Sequence, residues 1–176
     1  MSDPAPRLGA PGARARRVVP GAVLAVVLGA AAALAQAQTL AQAQATPVGL
    51  WKTIDDETGR AKSLVRITLS ASSLRGTVEK LLDPSAPPDA VCSKCTDARR
   101  DQPILGMQII RGVHASDSDP LRWEGGEILD PNNGKVYQVR LTLSDGGKTL
   151  SVRGYIGTPL LGRTQVWMRV EPDAPN

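Results

Sequence analysis

Phenylalanine is absent from this chain of 176 residues, which also holds only three tryptophans, two tyrosines, two cysteines and one histidine. Each shortage excludes something. With so few aromatics, Val, Ile and Leu must supply the core, and β-branched richness without long helical periodicity favours strands. With His114 alone, no Ser–His pair can be nominated as an activated nucleophile. His114, Cys92 and Cys95 together fall one short of the four ligands a structural zinc site uses. Glu124 and Glu127 fall on opposite faces of a strand and do not converge as an acid–base pair. Asp117 and Asp119, near His114, read as turn residues, and so does the Asp55-Asp56-Glu57 cluster. No catalytic residue, metal or cofactor is therefore expected.

The net charge of +4 is also less than it suggests. Residues 1–35 hold four of the 21 basic and one of the 17 acidic residues, leaving 17 against 16 beyond them. Nucleic-acid binding calls for a basic patch or stripe. The remaining charges are scattered with both signs mixed, so that role is rejected.

The basic residues at the front belong to a different pattern. Arg7, Arg14, Arg16 and Arg17 precede an apolar run from Val18 to Ala35, and small residues follow. This is the layout of a secretory signal peptide over residues 1–35, with cleavage expected after Ala35 or Ala37. A retained membrane anchor is the competing reading, since the run is close to the minimum for a bilayer span. No Cys ends the run, so a lipid anchor is not expected. Residues 36–46 read as a flexible Gln/Ala leader, 47–170 as the folded domain and 171–176 as a polar tail. The protein is expected in the periplasm as a monomer, with membrane contact only during export.

The folded part alternates. The stretch Trp123–Leu143 is the most ordered, with two strands joined by Asp130-Pro131-Asn132-Asn133-Gly134, a turn rich in residues that accept tight backbone angles. After it, Tyr137, Val139, Leu141 and Leu143 share one face, which marks one buried side. Similar text recurs at Val48–Thr53, Lys62–Leu69, Leu74–Leu82, Ile104–Val113, Lys148–Ile156 and Arg163–Val170. In the last-but-one of these, Leu150, Val152, Gly154 and Ile156 share a side. Lys80 shares the face of Leu74 and Val78 and is expected near the rim, with its head in water. About eight strands with mostly short connections favour an all-β fold: a single antiparallel up-and-down barrel, whose closure removes exposed edges. A barrel of that size is either filled by side chains or holds one small ligand.

Six blocks in order carry a family resemblance: Gly49–Thr53, Cys92–Cys95, Asp101–Gly106, Leu129–Tyr137, Arg153–Gly157 and Leu161–Trp167. The chain resembles the bacterial exported family called domain of unknown function 2147. That resemblance implies a small exported barrel of lipocalin-like shape, usually from Gram-negative bacteria, and no established activity. A further similarity is to lipocalins themselves, which have Gly-x-Trp on the first strand and a late Arg packed over that Trp. Gly49 and Trp51 match, with Arg163 or Arg169 as the partner. The implied job is packing at a barrel end by cation–π contact.

Two loops carry what chemistry the chain offers. Cys92 and Cys95 lie in the irregular stretch Asp83–Pro103. In an oxidising compartment they are expected to form a disulfide; a redox-active pair and a metal site are the alternatives. Pro159, Leu160 and Leu161 form an apolar loop tip that either meets a ligand or partner or tucks against the barrel. Function is expected to be non-enzymatic: holding a small apolar ligand or an envelope component. A thiol–disulfide protein and a structural envelope protein are the alternatives.

Overall fold

The computed structural model describes residues 46–56 and 58–171. The expected signal peptide, most of the expected leader and most of the expected polar tail lie outside the described residues. Eight antiparallel strands close into one barrel in chain order. They are β1 (Gly49–Ile54), β2 (Ala61–Ser70), β3 (Ser73–Leu81), β4 (Gln108–Ala115), β5 (Arg122–Asp130), β6 (Lys135–Ser144), β7 (Thr149–Tyr155) and β8 (Arg163–Val170). Closure comes from pairing the last strand with the first, Trp51 opposite Arg169 and Lys52 opposite Met168. Among the described residues no helix is long and apolar enough to cross a membrane.

The expected alternation builds the inner wall. Val139, Leu141 and Leu143 on β6 are buried, as are Val65 and Ile67 on β2 and Leu150 and Val152 on β7. They join Trp51, Ile110, Val113 and Trp167 in one apolar cluster that fills the middle of the lumen. Two strand expectations need correction. Residues 104–107 form a turn rather than strand, and β4 instead runs on to Ala115, taking in His114. Ile156 lies beyond the end of β7 and is exposed, whereas Tyr155 is buried.

Lys80 escapes the interior by a local device. The β2–β3 register runs Val65 opposite Val78, then Leu64 opposite Lys80, so one β3 residue is skipped. Such a bulge exchanges the faces of the residues after it. Lys80 is exposed, and Leu81 packs against the core instead.

Register also sorts the connections into two ends. The approach Thr46–Val48, the β2–β3 turn, the β4–β5 loop and the 3-10 turn at Asp145–Gly147 lie together at one end. The β1–β2 loop, the long β3–β4 loop, the β5–β6 turn and the β7–β8 loop lie at the other. Both sequence-singled loops, with Cys92–Cys95 and with Pro159–Leu161, are therefore at the same end.

Candidate functional site

The first end is plugged. Trp51 is fully buried, and the guanidinium carbon of Arg169 sits 4.3 Å from its ring centroid. Arg169 Nε donates to the Gly147 carbonyl at 2.6 Å, Nη1 to Val48 at 2.9 Å and Nη2 to Thr46 at 2.7 Å. One side chain thus ties its own strand to two other segments, the N-terminal approach and the β6–β7 turn, and only a forked, planar cation reaches all three carbonyls. Burial lowers the Arg169 pKa, with Glu171 opposing the shift. The Trp51 indole donates to the Pro47 carbonyl at 2.8 Å. Gly49 makes the approach feasible: a Cβ there would stand 2.6 Å from Arg169 Nη1, at a backbone φ of +145°.

Arg163 does not share this end. It lies six positions before Arg169 along β8, a span of roughly 20 Å. It forks instead onto Asp56, with Nη2 to Oδ1 at 2.5 Å, and holds the β1–β2 loop at the opposite rim.

That opposite end contains a cup of about 320 Å³. Its floor and lower wall include Trp167, Val152 and Ile128; its rim includes Lys62, Arg163, Ile156 and Leu161. Asp130–Asn133 and Tyr137 form another part of the wall. The turn is held by its own side chains. Asp130 accepts from the Asn132 backbone and side chain at 2.9 and 3.0 Å and from Asn133 Nδ2 at 2.8 Å. Asn133 Nδ2 also donates to the Tyr137 hydroxyl at 3.1 Å.

Behind this wall stands the cysteine loop. Cys92 and Cys95 are paired, with Cα atoms 5.4 Å apart, and are 0% and 1% exposed. They belong to the same apolar cluster as the barrel core. Gly134, at φ +71°, lies so close that a Cβ there would meet the Lys94 carbonyl oxygen at 1.9 Å. Cys92 Sγ is 3.7 Å from the Pro131 carbonyl. The long loop is also tied to itself and to β3, by Cys92 N to Gln102 O, Ile104 N to Ala90 O and Val78 N to Met107 O. A stretch with no strand periodicity is nonetheless fixed, because its polar backbone is satisfied internally.

The Leu160–Leu161 tip stands out from the barrel at 87% and 81% exposure. It does not tuck back as a plug. Arg153 holds the loop from below, donating to the carbonyls of Pro159 (2.6 Å) and Leu160 (3.3 Å) and to Thr164 Oγ1 (2.7 Å). Thr158 Oγ1 accepts from Leu160 N at 3.1 Å and caps the short 3-10 turn.

A family model described as "Uncharacterized protein conserved in bacteria (DUF2147)" matches residues 49–169, the barrel from first strand to last. The chain belongs to DUF2147. A solved structure described as "Protein HP1028 from the human pathogen Helicobacter pylori belongs to the lipocalin family" aligns with a TM-score of 0.62. The two are 17% identical over 73% of this chain and 85% of the other. At that identity the likeness concerns the fold, a lipocalin-like closed barrel. No curated protein sequence matches the chain.

Several cup residues of this DUF2147 barrel were not nominated as site residues from the sequence: Thr53, Ser63, Tyr155 and Gln165, and Tyr137 only as part of a buried face. One signal for Gln165 was present. Gln165 alternates with Arg163, Trp167 and Arg169 on β8, and a polar residue on the face that carries the buried Trp points to a lumen with water or ligand in it. The residues excluded as chemistry sit elsewhere. His114 Nδ1 is 3.0 Å from the Ser72 carbonyl at the plugged end, Glu124 accepts from Arg140, and Glu127 pairs with Arg111. Among the described residues no three His, Cys, Asp or Glu side chains gather as a metal site.

Proposed function

We propose that this is an exported, non-enzymatic periplasmic barrel that holds a small, mostly apolar molecule at its loop end. The observation carrying the reading is the cup of about 320 Å³ above a filled lumen. Its volume sits at the lower edge of ligand pockets, roughly 300–1,000 Å³. Its wall mixes apolar surface from Ile128, Val152 and Leu161 with a few fixed polar groups, the usual make-up of a small-molecule site. Export is supported by the basic, apolar and small-residue order of residues 1–37. Native mass spectrometry of protein released gently from the periplasm tests the reading. A bound small mass is expected, lost on denaturation. A protein always found empty, and indifferent to added apolar probes, would remove it.

The cysteine pair is proposed as structural rather than redox-active. Both cysteines are buried and the Cys92 sulfur is backed by the β5–β6 turn, whereas thiol exchange needs access for an attacking thiolate. A reduction potential below about −300 mV is the expected measurement.

The Leu160–Leu161 tip supports a second reading, docking to an envelope component, because two adjacent leucines held out by Arg153 give a preformed apolar contact. Cross-linking in cells would then capture a partner that is lost on Leu160→Asp.

A further inference from the structure

The cup presents hydrogen-bond donors that, among the described residues, no protein group accepts from. Gln165 shows this most clearly. The Trp167 indole Nε1 donates to Gln165 Oε1 at 3.2 Å. An indole nitrogen can only donate, so the Gln165 amide orientation is set and its NH2 is left over. Among the described residues nothing hydrogen-bonds Gln165 Nε2, and the side chain lines the cup. Tyr137 repeats the pattern. Asn133 Oδ1 accepts from Lys135 N at 2.8 Å, which fixes that amide, and Nδ2 donates to the Tyr137 hydroxyl. The phenolic hydrogen of Tyr137 therefore remains to be given.

Several acceptors of the same wall are already engaged. Asp130 receives three hydrogen bonds from its own turn. The hydroxyls of Thr53 and Ser63 lie 2.9 Å apart and satisfy each other, with Ser63 N adding a further bond to Thr53 Oγ1 at 3.1 Å. At the rim the charged groups are cancelled in pairs, Lys62 with Asp55 and Arg163 with Asp56. A ligand that brought only donors would strand Gln165 and Tyr137 against it, and unpaired buried polar groups are costly.

We propose that the cup selects an apolar molecule bearing a carbonyl-type oxygen, a ketone, ester or carboxylate, with Gln165 Nε2 as the donor that reads it. This rests on the cup being a ligand site. Gln165 is then the specificity-determining residue, and Trp167 sets its orientation.

The test uses three probes of similar length: methyl hexyl ketone, octanoate and octane, titrated into the full-length barrel and followed by calorimetry and by the Gln165 side-chain amide signals in NMR. The ketone or octanoate is expected to bind at least about tenfold tighter than octane and to move the Gln165 Nε2 signals. Tighter octanoate than ketone identifies a carboxylate as the preferred oxygen; the reverse identifies a neutral carbonyl. Gln165→Glu is the decisive variant, because it keeps an oxygen for the Trp167 indole while removing the donor. It is expected to lower affinity for the ketone or octanoate about tenfold while leaving octane binding within about twofold. Equal affinity for octane and the oxygenated probes, or an unchanged Gln165→Glu, overturns the selectivity and leaves the cup standing. If none of the three binds, the cup itself fails as a ligand site.

Discussion

At the plugged end a single side chain does most of the closing. Arg169 stacks on Trp51 and donates to carbonyls from the N-terminal approach and the β6–β7 turn. At the loop end the work is distributed: a disulfide loop, a self-capped turn, two carboxylate–cation pairs and a loop propped by Arg153 surround a cup. The difference separates tasks. One end concentrates its contacts in a central residue; the other spreads them among locally satisfied loops around a space. Stability and the proposed ligand chemistry thus fall at opposite ends, and substitutions should separate them.

The largest effect is expected at the plugged end. Arg169→Ala strands three carbonyls and removes the cation over Trp51. Hydrogen bonds from a charged donor contribute roughly 1.5–3 kcal/mol apiece, but relaxation of the freed approach recovers part of that, so about 3 kcal/mol of global destabilisation is expected. Urea unfolding followed by tryptophan fluorescence measures it. A loss under about 1 kcal/mol would mean that the plug is ornamental to the barrel and that the contrast between the ends is wrong.

Next comes Gly134→Ala, at the joint between the β5–β6 turn and the cysteine loop. The new Cβ meets the Lys94 carbonyl at 1.9 Å, and the residue is held at φ +71°. Both strain and displacement follow, for about 2 kcal/mol. The damage should stay local: hydrogen exchange rises across residues 90–106 while Thr46–Val48 is unaffected. Replacing both cysteines by serine should cost a similar amount, since closing a four-residue loop is worth roughly 2 kcal/mol by chain entropy. Rising exchange at the plugged end in either variant would show that the two ends are not independent.

Acid should separate the ends without any substitution. Asp55 is held down to about 2, chiefly by the Thr58 backbone N–H, then by the Thr58 hydroxyl and Lys62. Asp97 is also near 2, held by the Arg99 guanidinium and then by its backbone N–H. Arg163 lowers Asp56, and the Ser85 hydroxyl lowers Asp83. All four lie in the β1–β2 and β3–β4 loops at the cup end. Their folded values fall below the ordinary carboxylate range near 4. What they contribute is therefore in place above about pH 4 and is lost as the pH falls toward 2. Arg169 stays protonated throughout this window. Hydrogen exchange between pH 5 and pH 2 should show residues 55–60 and 83–101 loosening first. Simultaneous loosening at Thr46–Val48 would contradict the asymmetry.

The two ends were also unequally legible from sequence. The barrel wall was readable because period-two alternation along β6, β7 and β8 is a strong local signal. The plug was half readable: Gly49, Trp51 and Arg169 stood out by their resemblance to a known pairing, yet Arg163 was an equal candidate. Only register, with Trp51 opposite Arg169, separates them. The cup was the least readable part. It depends on loops far apart in sequence meeting at one end, and on Gly134 admitting the Lys94 backbone. Lys80 was expected to reach water from the rim and is exposed, but the device that exposes it, a one-residue bulge that exchanges faces, cannot be read from alternation alone.

The smallest effect on stability is expected where the sequence drew most attention. Leu160 is 87% exposed, so Leu160→Asp removes almost no buried area, and exposed substitutions of this kind usually fall within about 0.5 kcal/mol. Arg153 grips the Pro159 and Leu160 carbonyls, not the leucine side chains, so the loop should keep its shape in the variant. Leu161 differs from its neighbour in lining the cup. Leu161→Asp should therefore leave the unfolding midpoint unchanged but weaken an apolar probe in the cup, while Leu160→Asp leaves both alone and affects only capture of an envelope partner. Parallel urea melts and probe titrations on the two variants decide the matter. If Leu160→Asp weakens the probe as much as Leu161→Asp does, the tip acts as one unit with the cup, and the ligand and docking readings collapse into one.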